Sequence, residues 1–92
     1  MENTKHHLSL YRGEKKISGF MAIDRRRVLL SMFKLISEKN YSNAQIKHLS
    51  FTITGESERF LVIPELFVKL KTNKITSEEL LMQSVLPGNV ED

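Results

Sequence analysis

Apolar residues between positions 28 and 36 recur with the spacing of one face of an α-helix. Starting at Val28 they fall at i, i+1, i+4, i+5, i+7 and i+8, the pattern of a helix that buries one side. Asp24 is a suitable N-cap, because its carboxylate can accept a backbone N–H of the first turn. Asn40 tolerates the left-handed conformation in which many helices end. The sequence therefore predicts a helix from about Arg25 to Lys39.

The residues before this helix alternate in the manner of a β-hairpin. Leu8 and Leu10 are flanked by polar residues, which is the period of a half-buried strand. Residues 12–15 contain turn-forming side chains, and residues 16–23 resume as a second strand, in which Gly19 predicts a bulge. The apolar residues expected on one face of this second strand are Ile17, Met21 and Ile23.

A second hairpin is predicted in the other half of the chain. Apolar and polar residues alternate over residues 47–54, which indicates an amphipathic strand. Residues 55–58 form the turn, and the nearly all-apolar residues 59–63 are typical of a central strand covered on both faces. The positions expected on one face of the amphipathic strand are Lys47, Leu49, Phe51 and Ile53.

Helix-start signals appear at two further places. Residues 42–45 and residues 76–79 both have the spacing of a capping box, predicting a short helical turn and a C-terminal helix. Pro64 suits the first position of a helix, but residues 65–71 fit either a helix or an extended strand, and the pattern leaves the choice open. Pro87 and Gly88 are expected to end the last helix.

Together these elements predict an α+β domain in ββα-ββα order. The simplest packing is a four-stranded, mostly antiparallel sheet with the helices on one face. A winged-helix-like arrangement is the alternative, with residues 25–39, a helix near Ser42 and the hairpin of residues 47–63 as its module. The two halves also resemble each other: residues 7–10, His-Leu-Ser-Leu, are echoed by residues 48–51, His-Leu-Ser-Phe.

Length and cysteine content bound the class of protein. A chain of 92 residues accommodates one domain, expected over residues 1–92 with flexible ends at 1–6 and 88–92. The absence of cysteine excludes disulfides and thiolate metal sites, and favours a reducing, cytoplasmic location. No apolar segment is long enough for a signal peptide core or a bilayer span, so no membrane association is expected.

Charge is unevenly distributed along the chain. Residues 1–47 hold ten Lys and Arg against four Asp and Glu, a net charge of +6, whereas residues 48–92 hold four against seven, a net charge of −3. A basic half suggests an anionic partner. The alternative is that the two halves interleave in a small fold and the asymmetry averages out.

Two basic clusters are the candidate nucleic-acid-binding residues. Three consecutive arginines occupy the first turn of the predicted helix, where cations oppose the helix dipole but can join free N–H groups in holding a phosphate. The first hairpin turn adds cations beside an aromatic residue, Tyr11, as in single-strand binding sites. The candidate residues are Arg12, Lys15, Lys16, Arg25, Arg26, Arg27 and Lys34.

No catalytic or metal-binding motif accompanies these clusters. His6, His7 and His48 lack zinc-ligand spacing, no serine lies in a nucleophile motif, and no glycine-rich phosphate loop is present. We therefore expect no metal, no cofactor and no enzymatic activity. The leading prediction is a small nucleic-acid-binding or regulatory protein, and the alternative is a protein-binding adaptor or inhibitor. Because a small sheet leaves open edges, we also expect a homodimer.

Overall fold

The computed structural model describes residues 5–85, which fold in the order β-β-α-α-β-β-α-α. The strands are β1 (His6–Arg12), β2 (Lys15–Ala22), β3 (Leu49–Ile53) and β4 (Phe60–Leu61). The helices are α1 (Arg25–Lys39), α2 (Asn43–Ile46), α3 (Pro64–Lys71) and α4 (Ser77–Ser84). Residue His6 already belongs to β1. The other predictions for the chain ends, including the stop at Pro87 and Gly88, lie outside the described residues.

The four strands form one antiparallel sheet in the order β2-β1-β3-β4. This confirms the predicted α+β architecture, and not the winged-helix-like alternative. The prediction of a central strand over residues 59–63 is wrong, because only Phe60–Leu61 pairs, and it pairs at an edge of the sheet. The apolar run is apolar because its side chains contribute to the core. Phe60 lies opposite Phe51, and Val62, between β4 and α3, is also buried.

The pairing of the two central strands is symmetric about one residue pair. Leu10 lies opposite Phe51, and Leu8 opposite Ile53, just as Arg12 lies opposite Leu49. In the internal repeat Phe51 follows Leu10 by 41 residues, so these two positions correspond. The echoed sequences, residues 7–10 and 48–51, therefore lie largely in the two adjacent central strands.

The core lies between the sheet and the helices, and Phe51 is at its centre. Its ring stacks against Phe60 with centroids 5.3 Å apart and meets Phe67 of α3 edge-on at 6.2 Å. Helix α1 buries four of the predicted residues, Val28, Leu29, Met32 and Ile36. Phe33, also predicted to be core, is only partly buried; it stacks against Phe67 at 5.2 Å.

In strand β2 the predicted apolar row is the face turned away from the core. Phe20 lies opposite the buried Leu8 and so faces the core, whereas Met21 lies opposite the exposed His7. Both faces of β2 carry apolar residues, so alternation within the strand cannot select the buried one. The register shift that marks the bulge falls two residues before Gly19, beside Ile17. The predicted apolar row, Ile17, Met21 and Ile23, is exposed.

The helix ends follow local side-chain chemistry. Asp24 accepts a hydrogen bond from the N–H of Arg26, and Asn40 ends α1 in the left-handed conformation, as predicted. Both capping boxes form, at Ser42 before α2 and at Thr76 before α4. The segment left open between helix and strand is helix α3, with Pro64 in its first turn. Within residues 5–85 every helix is too short to cross a bilayer, the longest having 15 residues.

Candidate nucleic-acid interface

The helices pack on one face of the sheet, and within residues 5–85 no helix lies on the other face. Side chains directly opposite each other in antiparallel strands share a face. Tyr11 lies opposite Ser50, and Ser9 opposite Thr52, on the side away from the core. We call this side the open face. It carries small polar side chains in its middle and one aromatic ring, Tyr11, near the β1–β2 turn.

Arg59 lies across the open face and is held there by three neighbours. Its Nε donates to the Ser50 hydroxyl at 2.9 Å, and one terminal nitrogen donates to the Gly13 carbonyl at 3.1 Å. The guanidinium carbon lies 4.5 Å from the centroid of the Tyr11 ring, a distance suited to a cation–π contact. The Arg59 side chain is thereby fixed over an aromatic ring before any ligand binds. A ligand that contacts it therefore pays less conformational entropy for ordering this side chain.

The β1–β2 turn collects cations at one end of the open face. Gly13 adopts a φ of +64° there, and its N–H donates to the His48 carbonyl at 2.9 Å, tying the turn to the segment before β3. The exposed cations of this region, here called the turn cluster, are Arg12, Lys15, Lys16 and Lys47. Arg12, Gly13 and His48 also line a shallow depression of about 390 Å³.

Two residues of this site were missed by sequence reasoning. The alternation of residues 47–54 predicts Lys47 on a strand face, but β3 begins only at Leu49, and Lys47 is the exposed C-cap of α2. The capping box at residues 42–45 was the available signal, since it predicts a helical turn just before Lys47. Arg59 had no local signal, because its acceptors Ser50 and Gly13 are 9 and 46 residues away.

Two of the three α1 arginines are held by contacts within the protein. Arg25 forms ion pairs with Glu56 and, at 3.6 Å, with Glu78 of α4. Arg26 donates to the Leu70 carbonyl at 3.0 Å and to the Asn73 side-chain oxygen at 2.9 Å, at the end of α3. Replacing all three arginines by alanine should therefore weaken folding, because two of them join α1 to other elements.

The remaining predicted residues lie away from the turn cluster. Arg27 is exposed and has no ion pair or side-chain hydrogen bond within residues 5–85. Lys34 is exposed on the helical layer, beside Lys71 of α3. Strand β2 separates the turn from the start of α1 by eight residues, or roughly 25 Å at about 3.3 Å per residue. The seven predicted residues therefore form no single surface. Arg12, Lys15 and Lys16 all lie at the β1–β2 turn. Lys16 is opposite Tyr11 on the open face, whereas Arg12 is opposite the buried Leu49 and so lies on the other face.

Among residues 5–85 no group of three or more His, Asp or Glu side chains is arranged to hold a metal ion. Leu30 and Phe33 line a depression between α1 and α3. Comparison of the chain with family models, with curated proteins and with solved structures gives no match.

Proposed function

We propose that this protein binds single-stranded nucleic acid across the end of the open face next to the β1–β2 turn. The observation that carries the proposal is the Arg59 guanidinium, fixed over the Tyr11 ring on the open face. Bases stack on aromatic rings and on guanidinium planes, and strand surfaces that present such groups bind splayed single strands.

The turn cluster supplies the second requirement, contacts to phosphate. Arg12, Lys15, Lys16 and Lys47 are exposed at the end of the open face where Gly13 holds Arg59. Neutralising phosphates releases condensed counterions, so binding through such residues is strongly salt-dependent. In this proposal a base stacks on the outer plane of the Arg59 guanidinium, which Tyr11 supports from the other side, and the turn cluster contacts the phosphates.

Salt dependence tests the phosphate contacts. Fluorescence anisotropy with labelled oligo(dT) and oligo(rU) measures the dissociation constant over a range of salt concentrations. The double variant Lys15→Ala/Lys16→Ala should weaken binding and reduce the slope of log K against log salt by about 1.4, near 0.7 per lost contact to a single strand. The matched control Lys69→Ala/Lys74→Ala removes the same charge from the exposed surface near the end of α3 and should leave the slope unchanged. Equal effects of both doubles would refute a localised site.

Tyrosine fluorescence tests the stacking contact directly. The chain has two tyrosines and no tryptophan, so Tyr41→Phe leaves Tyr11 as the sole reporter. Adding oligonucleotide should change its emission, because a base enters its immediate surroundings. Arg59→Lys keeps the charge but removes the plane, and should weaken binding by about 1–3 kcal/mol, the contribution of one stacked base. Urea unfolding of each variant separates lost binding from lost folding.

The protein-binding adaptor or inhibitor remains the competing function. It predicts no oligonucleotide binding at physiological salt and no response of Tyr11 emission. If the folded wild-type protein binds only one of oligo(dT) and oligo(rU), the proposal is restricted to that nucleic acid. If it binds neither, the adaptor function is favoured.

A further inference from the structure

Strand β2 is the longest strand of the sheet and lies at its edge. It has eight residues and pairs only with β1 within the described part of the chain. Its outer side therefore presents backbone N–H and C=O groups that no strand of residues 5–85 occupies. An exposed, long edge is a ready template for another strand, and proteins usually blunt such edges with charges, bulges or proline.

The protection of this edge covers only its first part. The edge begins with Lys15, Lys16 and the bulge beside Ile17. Residues 18–23, Ser-Gly-Phe-Met-Ala-Ile, contain no charge and no proline. In this stretch Met21 is 55% exposed, and Ile23 is 64% exposed. An uncharged edge with apolar side chains in solvent is the kind of surface that a partner strand covers.

The charges at the two ends of β2 favour an antiparallel over a parallel pair. Lys15 and Lys16 begin the strand, and Asp24 lies two residues beyond its last residue, Ala22. The cation next to Asp24, Arg25, is already paired with Glu56 and Glu78. In an antiparallel pair the start of one strand meets the end of the other, so the lysines of each copy approach Asp24 of its partner. A parallel pair would instead bring all four lysines together. We propose that two copies of this chain associate through antiparallel pairing of their β2 strands.

Such pairing creates one continuous eight-stranded sheet, twice the four strands of the single chain. A two-fold axis perpendicular to the sheet places both open faces on the same side. The α1 helices, which pack on β1 and β2, lie together on the other side and add to the buried surface. The interface is isologous, with the same patch used by both copies. The association requires no nucleic acid, so it can be tested separately from the proposed binding function, although Lys15 and Lys16 take part in both.

Sedimentation velocity of the full chain, without nucleic acid, tests the proposal across micromolar concentrations. The wild-type protein should show a concentration-dependent monomer–dimer equilibrium. Met21→Lys places a charge in the uncharged stretch of both copies. It should therefore raise the dissociation constant of the dimer at least about tenfold. Met82→Lys is the matched control, since Met82 is 74% exposed on α4, and it should leave dimerisation unchanged.

Amide hydrogen exchange locates the interface independently of mutation. Outward-pointing amides of β2 between Ser18 and Met21 should become protected as the concentration rises, while the amides of α4 should not change. A protein that stays monomeric throughout this range overturns the proposal. A dimer that Met21→Lys leaves intact, or that Met82→Lys disrupts, overturns the assignment to β2. Binding of β2 to an unrelated strand peptide, with the chain itself monomeric, would identify a different occupant and also refute self-pairing.

Discussion

Replacing Arg26 by alanine and replacing Arg27 by alanine should change the stability of the protein in opposite directions. Both lie in the first turn of α1, where a positive charge opposes the helix dipole by about 0.3–1 kcal/mol at an exposed site. Arg27 has no compensating contact within residues 5–85, so Arg27→Ala should raise the free energy of unfolding by about that amount. Arg26 does have compensating contacts, at the end of α3.

The cost of removing Arg26 follows from its two hydrogen bonds. Its terminal nitrogen donates to the Leu70 carbonyl at 3.0 Å and to the Asn73 side chain at 2.9 Å. Hydrogen bonds from charged groups contribute about 1.5–3 kcal/mol each, and the partial exposure of this pair reduces that value. After relief of the dipole repulsion, Arg26→Ala should cost about 1–2 kcal/mol, or roughly 4–16 °C in Tm for a domain of this size.

Urea denaturation followed by circular dichroism compares the two variants under identical conditions. The midpoint should fall for Arg26→Ala and rise slightly for Arg27→Ala, with unchanged slopes. Asn73 has a φ of +62°, so Asn73→Gly removes its side chain without straining the backbone. A double-mutant cycle between Arg26 and Asn73 should then give a coupling of about 0.5–1 kcal/mol. Equal midpoints for the two arginine variants, or zero coupling, would refute the assignment of Arg26 to α3.

Three further outcomes follow from the packing. Gly13→Ala should destabilise the protein by about 1–2 kcal/mol because its φ is +64°, whereas Gly19→Ala should be tolerated, since its new Cβ meets only ordinary contacts; thermal melting compares them. Phe67→Ala should cost about 3–5 kcal/mol, and the partly exposed Phe33→Ala about 1–3, as measured by urea unfolding. The Ser84 hydroxyl is buried without a hydrogen-bond partner within residues 5–85, so Ser84→Ala should raise Tm.

Local chemistry made the helices predictable. The bounds of α1 follow from Asp24, the apolar stripe and Asn40, all of which act within a few residues of the helix. The same holds for α2 and α4, whose capping boxes are contained in four consecutive positions. Helix α3 was harder, because its apolar residues fit two periods, and tertiary packing of Phe67 on Phe51 distinguishes them.

Sheet order and the roles of the arginines required information that no local pattern contains. Residues 59–63 are as apolar as a central strand, yet the pairing of Phe60 with Phe51 places them at an edge. The orientation of β2 is decided by Leu8, across the hairpin, and not by alternation within the strand itself. Arg26 and Arg59 have hydrogen-bond acceptors 44 and 46 residues away along the chain. The sequence therefore predicts the cations of the β1–β2 turn but not the position of Arg59.

The two edges of the sheet are unequal, and this limits how large any strand-paired assembly can become. Strand β4 offers only two residues, and Phe60 there already forms a bridge with Val85. A filament grows by head-to-tail addition, which needs a usable edge on both sides of every subunit. In the proposed dimer the partner copy covers the long edge of β2, and the two residues of β4 are too short an edge for a further strand. Association through β2 should therefore close at the pair and stop short of fibres.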